Sequence, residues 1–152
     1  MEKIYLENFD VIGISVRTTN NNGQSAKDIG ELWGKFMSEN YIDKIPNKVD
    51  TSIYSIYTDY EGDYTQPYTT ILGCKVENLK TIPEGMVAKT ISSGGYTKFV
   101  AKGDLSKSAV FVEWTRIWEM DLPRLYSADF EVYGEKAQNP NDAEVDIFIA
   151  TR

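Results

Sequence analysis

The sequence predicts an α+β fold: a duplicated strand-helix-strand-strand unit, set as two antiparallel sheets with pseudo-twofold symmetry around a central cleft. Three observations predict it. After an extended lead-in strand, the first half runs through the strand VIGISVRT, a helix, and the strands SIYSIYTDY and TTILGCKV. The second half runs through YTKFVAKG, a helix, YSADFEVYGE and AEVDIFIA. The helices align at Trp33-x-x-Phe36-Met37 with Trp114-x-x-Ile117-Trp118, and the third elements at Ser55-Ile56-Tyr57 with Glu131-Val132-Tyr133. The repeat covers approximately residues 1–79 and 83–152 of the 152. Halves of about 75 residues fold alone only marginally, so one domain over residues 1–152 with a common core is expected.

Residues 3–7 and 11–18 read as two strands joined near Asn8-Phe9-Asp10, and NNNGQS at 20–25 as a loop. Ser25 followed by Asp28 resembles a capping box, with Asp in place of Glu or Gln. Ile29, Leu32, Trp33, Phe36 and Met37 then recur at three- and four-residue spacing, one apolar stripe of a helix ending near Asn40. Residues 52–58 alternate and are rich in Tyr and Ile, as strands are. DYEGDYTQPY at 59–68 is a turn-rich hairpin loop, and 69–77 is the returning strand. In the second half, 86–91 and 96–102 are strands around Ser-Ser-Gly-Gly, and Asp104 is a good N-cap. Val110, Phe111, Trp114, Ile117 and Trp118 form the second helical stripe, closed by Leu122-Pro123. A last hairpin runs through 126–134 and 143–151.

Strand alternation sorts the residues of the last hairpin. Phe130 and Val132 point to one face, Asp129, Glu131 and Tyr133 to the other. The apolar pair is the natural partner of the helix, so Glu131 and Tyr133 are expected to face the cleft, with Ser55 and Tyr57 in the equivalent places of the first copy. The asymmetry between Ser55 and Glu131, at an otherwise repeated position, marks the place where the two copies differ in chemistry.

Composition narrows the function. The chain has 41% hydrophobic and 26% charged residues, a net charge of −7 and no histidine. An acidic chain without a Lys/Arg cluster disfavours direct nucleic-acid binding. No apolar run approaches the length of a membrane span, and MEKIYLENFD is too polar for a signal peptide, which together point to the cytoplasm. The single cysteine, Cys74, lies in an apolar strand and reads as a buried hydrophobe. No cofactor and no metal are expected. Zinc lacks ligands here, and Asp59, Glu61 and Asp63 lack the spacing of a calcium loop. Serine and cysteine triads are excluded for want of histidine.

The last third, GYTKFVAKGDL…VEWTRIWEMDLPRLYSADFEVYGEKAQNPNDAEVDIFIA, resembles the GyrI-like small-molecule-binding family. W-x-x-I-W, L-P-R-x-Y and D-F-E-V-Y-G carry the resemblance by their order and spacing. It extends over essentially the whole chain, more weakly in the first half. The same fold forms the effector-binding half of some AraC-type and MerR-type regulators. The chain begins directly with the first strand, so the resemblance implies a stand-alone binding domain. In members that bind lipophilic cationic drugs, a glutamate on the penultimate strand is the central acid among aromatic rings; Glu131 matches it. Some free-standing relatives hydrolyse cyclopropane-bearing toxins.

The candidate ligand-binding residues are therefore Glu131, Tyr133, Tyr57, Trp33 and Ser55. Glu131 is the acid, the two tyrosines are walls from either half, and Trp33 stands at a stripe edge beside Gly34 and Lys35. Trp114 and Trp118 are expected in the core. The expected function is binding of a small hydrophobic, aromatic or lipophilic cation, for drug or toxin sensing or sequestration, with a possible link to transcription through a protein partner. One alternative is a hydrolase using Glu131 with Tyr57 or Tyr133 as catalytic residues. Another is a protein-interaction role as a gyrase inhibitor, motivated by the family name and the acidic charge.

Overall fold

A computed structural model describes residues 2–152. The elements run β1 (Glu2–Leu6), β2 (Phe9–Thr18), α1 (Gln24–Ser38), α2 (Tyr41–Lys44), β3 (Ile53–Thr58), β4 (Tyr68–Val76), β5 (Val87–Ile91), β6 (Gly94–Gly103), α3 (Ala109–Glu119), β7 (Ala128–Tyr133) and β8 (Ala143–Ala150). The class is α+β. The strands form one eight-stranded sheet in the order β1-β6-β8-β7-β3-β4-β2-β5, with antiparallel pairing throughout, rather than the two sheets expected. The halves join because β3 and β7 pair directly, from Ile53↔Tyr133 to Thr58↔Ala128. Matching β1 with β5, β2 with β6, β3 with β7 and β4 with β8, the order reads the same from either edge. Ser55 lies opposite Glu131, its own counterpart in the repeat. Each half also gives its lead-in strand away: β1 pairs with β6, and β5 with β2.

The sheet is strongly curled. A flat sheet separates strands three places apart by about 14 Å. Yet Phe9 of β2 packs edge-on to Phe130 of β7 with ring centroids 5.2 Å apart. Phe130 also stacks on Phe148 at 4.8 Å and meets Tyr96 at 5.6 Å. This concave face buries itself, with Val11, Ile56, Ile71 and Ile91 completing its core. A bend of this kind needs a place where two backbones come very close, and Gly13 opposite Gly73 provides it. A Cβ on Gly13 would stand 1.9 Å from the Leu72 carbonyl oxygen, and one on Gly73 2.2 Å from that of Ile12.

Both helices lie on the other, convex face. Leu32 and Phe36 of α1 pack on Ile12, Ile14, Leu72 and Cys74. Trp114 and Ile117 of α3 pack on Phe99, Val145, Ile147 and Ile149. This reverses the expected facing. Phe130 and Val132 need no helix, because the curl already covers them, and the helices share their face with Glu131. A second correction concerns the start of α1. Its N-cap is Gly23 in the left-handed region, with no side-chain cap. Asp28 instead accepts from Thr18 Oγ1 at 2.9 Å and Gln24 Nε2 at 2.8 Å. Asp104 does cap, but it caps the 3-10 turn Leu105–Lys107, accepting from the Ser106 N–H at 2.9 Å. No helix among the described residues is long and apolar enough to cross a membrane.

Candidate functional site

The strand pair β3–β7 places Glu131 at the middle of the sheet, on the helix-bearing face, 2% exposed. Buried carboxylates require partners, and three neutral groups supply them. The Trp114 indole Nε1–H donates to Oε2 at 2.6 Å, the Tyr57 hydroxyl donates to the same oxygen at 2.9 Å, and the Tyr133 hydroxyl donates to Oε1 at 2.6 Å. Ser55 Oγ in turn donates to the Tyr57 oxygen at 3.1 Å. No Lys or Arg pairs with Glu131 among the described residues. Burial pushes its carboxyl above the ordinary value, while Tyr133, Trp114 and Tyr57 pull it back in part. Burial, joined by the charge of Glu131, holds the hydroxyls of Tyr57 and Tyr133 well above 10, so both stay protonated donors.

Beside this centre opens a cavity of about 510 Å³, its mouth included. Seven aromatic rings line it: Tyr57, Tyr60, Tyr64, Tyr68, Phe111, Trp114 and Trp118. Tyr64 stacks on Trp118 with ring centroids 5.6 Å apart, and Phe111, 58% exposed, sits at the rim. Glu131 does not line this cavity. It lies behind Tyr57 and Trp114, which present their rings outward and their polar hydrogens inward. On the far side of Glu131, Tyr133 and Trp33 meet edge to face at 4.8 Å. They line a separate, shallower depression with Val110 and Phe111.

The other end of the cavity is polar. Arg124 lines it and pairs with Asp129 at 2.7 Å; the two side chains are 5% and 0% exposed. Asp129 also accepts from the Tyr60 hydroxyl at 2.6 Å and from the Ala150 N–H at 2.8 Å. Burial opposes the charge of Arg124, but Asp129 and Tyr60 outweigh it and hold the guanidinium charged. Cys74 offers no nucleophile, since burial pushes its thiol up to about 11. No cluster of three or more metal-ligating side chains occurs among the described residues.

The profile of the integron-associated effector-binding proteins, Cass2, matches residues 4–151. The chain belongs to this family. The integron cassette protein Cass2 from the mobile metagenome of Vibrio cholerae is 32% identical over 99% of this chain and 95% of its own, with a TM-score of 0.77. YobU of Bacillus subtilis (strain 168), named as a transcriptional regulator, is 26% identical over 92% of this chain and 90% of its own. The structure of SAV2435 bound to tetraphenylphosphonium shares the fold, with a TM-score of 0.81 at 16% identity over 99% of this chain and 93% of its own. The GyrI-like resemblance is met at the level of family and fold.

In this Cass2-family chain, the five residues singled out from sequence divide three ways. Tyr57 lines the aromatic cavity, Tyr133 and Trp33 the opposite depression, and Glu131 with Ser55 the buried centre between them. Trp114 and Trp118, expected in the core, both line the cavity as well; Trp114 also packs in the core cluster and donates a hydrogen bond to Glu131. Its signal was available: a buried indole N–H usually finds an acceptor. Tyr60, Tyr64 and Tyr68 lie in or beside a loop that reads as solvated, although three tyrosines at four-residue spacing are unusual in an acidic turn.

The centre carries a pH signature. Raising the Glu131 carboxyl in the folded state means the fold binds this proton more tightly than the unfolded chain does. Its contribution to stability therefore falls as pH rises from the ordinary carboxylate range, about 4.3, through the raised value. Asp28 and Asp63 act oppositely: hydrogen bonds, from Gln24 first for Asp28 and from Thr65 first for Asp63, lower their values. The difference between wild type and Glu131→Gln isolates the centre. The Glu131→Gln variant is expected to unfold at an equal or higher temperature than wild type at neutral pH, with the gap closing on acidification. Thermal unfolding across that range checks this, and a variant uniformly less stable contradicts it.

Proposed function

We propose that this effector-binding chain takes small hydrophobic cations in the aromatic cavity, with Glu131 as the electrostatic anchor behind the rings. One observation carries the reading: a fully buried carboxylate, held only by neutral donors, directly behind the wall of a seven-ring cavity. A lipophilic cation in the cavity supplies the missing countercharge without a polar contact, and cation–π attraction adds about 0.5–2 kcal/mol for a well-placed ring. The net charge of −7 favours approach of a cation. Tetraphenylphosphonium, held by the structural relative SAV2435, is a ligand of this chemistry. A protein partner that reads the bound state would make the chain a sensor; binding alone would serve sequestration. The hydrolytic alternative requires Glu131 to touch a reacting atom, and Tyr57 and Trp114 stand in between.

The test pairs methyltriphenylphosphonium with the neutral triphenylmethanol, of nearly the same size, read by tryptophan fluorescence. Glu131→Gln is expected to weaken the cation about tenfold or more and the neutral ligand by less than threefold. Equal losses for both ligands would falsify the electrostatic anchor.

A further inference from the structure

The aromatic cavity has an unmet polar demand at the end away from Glu131. Among the described residues, the buried side-chain nitrogen and oxygen atoms without a hydrogen-bond partner are Thr70 Oγ1 and two nitrogens of Arg124, Nε and Nη1. Only Arg124 lines the cavity. Its Nη2 is satisfied by Asp129. The remaining N–H groups are not idle by accident of exposure, since the side chain is 5% exposed. Guanidinium N–H bonds lie in the plane of the group, so the Tyr126 ring, 4.3 Å from Cζ, attracts the charge without supplying an acceptor. Buried donors without acceptors are rare and cost free energy. Two of the other polar groups lining the cavity are already paired. Asn20 accepts from the Tyr68 hydroxyl at 2.6 Å and donates to the Tyr64 carbonyl at 2.9 Å, and the Tyr60 hydroxyl is committed to Asp129.

The ring against Arg124 sits on a strained backbone. Tyr126 is a half-buried ring on a backbone with φ 55°, the left-handed region that a tyrosine rarely adopts. Such conformations persist where surrounding structure holds them and cluster at ligand-contacting positions.

We infer that Arg124 is a ligand-binding subsite for an acceptor oxygen, a carboxylate or carbonyl, so that the preferred ligand joins an apolar cationic body to an acceptor-bearing arm. This rests on the cation-binding reading for the body of the ligand and adds the polarity of its far end. A plain lipophilic cation satisfies only the Glu131 end of the cavity. A ligand with an acceptor a few methylenes away satisfies both ends, and the acceptor distinguishes true effectors from the many hydrophobic cations that merely fit the rings.

The test uses four probes: pentyltriphenylphosphonium, (4-carboxybutyl)triphenylphosphonium, the methyl ester of the latter, and 5-phenylpentanoate, which has the acceptor arm but no cation. Affinity is measured by tryptophan fluorescence on wild type and Arg124→Lys, which keeps the charge facing Asp129 but loses the planar set of donors. The Arg124 Nε–H resonance, assigned by through-bond correlation in wild type, is followed by proton–nitrogen correlation, so the answer does not depend on how well the variant folds. The expected result is about tenfold tighter binding of the carboxylate-bearing phosphonium than of the pentyl compound, a preference lost in Arg124→Lys, and an Nε–H shift with the acceptor-bearing probes alone. A gain with the carboxylate but not the ester assigns the subsite to acids; equal gains assign it to carbonyl oxygen. Equal affinity for pentyl and acceptor-bearing phosphoniums, with no Nε–H shift, overturns the subsite and leaves cation binding standing. If no phosphonium binds but 5-phenylpentanoate shifts Arg124, the subsite stands and the cation reading fails. Silence from all four probes overturns both.

Discussion

Replacing Asp129 with alanine is expected to cost about 3–5 kcal/mol of folding stability, among the largest effects of any single substitution in this chain. The pair it breaks is fully buried, and the loss falls on three partners at once. Arg124 would keep a charge on a side chain only 5% exposed with no counter-ion, the Ala150 N–H would lose its acceptor, and the Tyr60 hydroxyl would lose its own. Burying an unpaired charge costs much more than an ion pair at the surface yields. The exposed helical pair Lys27–Glu31 is the internal control, and Glu31→Ala is expected to change stability within error. Urea unfolding of both variants decides the matter. A loss at Asp129 below about 1 kcal/mol would mean that water or a rearranged Arg124 reaches the site, and the buried network would be of little consequence for the fold.

Gly13→Ala is expected to destabilise by about 3 kcal/mol or more, although it adds one methyl group. Ordinary overpacking costs about 1–3 kcal/mol because side chains can move aside. Here the obstacle is backbone: the Leu72 carbonyl oxygen at 1.9 Å and the Gly73 Cα at 2.6 Å. Relief requires β2 and β4 to part at the point where the sheet bends, which in turn loosens Phe9 from Phe130 on the concave face. Gly30→Ala is the matching control. Nothing lies within 4 Å of a Cβ there, and in the middle of a helix alanine should stabilise slightly. Equal midpoints for the two variants would show that the bend does not depend on the glycine pair.

Much of this architecture was legible in the chain. The stripes Leu32–Phe36 and Trp114–Ile117 face the sheet as their spacing requires, and the repeat predicted two related halves, although it placed a cleft where β3 and β7 pair. Sequence could not show which face the helices take. Strand β7 offers Phe130 and Val132 on one side and Glu131 and Tyr133 on the other, and apolarity favours the first side for a helix. The alternation rule assumes that a sheet face needs another layer to cover it. A sheet curled this tightly covers one face with its own rings, and that curl depends on contacts between residues as remote as Phe9 and Phe130. The same limit hid Arg124. The motif L-P-R-x-Y was visible, but its partner Asp129, its covering ring Tyr126 and its place on the cavity wall exist only after folding. Tyr60, Tyr64 and Tyr68 were obscured by the acidic residues around them, which pair outward instead: Asp59 with Lys89 and Glu61 with Arg17.

The register that sets Ser55 against Glu131 also constrains what two copies of this unit can carry at their shared axis. Two separate half-length copies meeting along the same strand pair would have to place one residue type at both positions of the axis. A glutamate there would confront its twin across a cross-strand distance of about 5 Å, and like charges so placed destabilise a sheet. A serine would leave the axis without charge. A solitary acid at the centre is thus closed to two identical copies and open to a polypeptide carrying two copies that differ. One chain carrying both copies can differ at the axis, and here it does, with a serine on one side and a lone acid on the other.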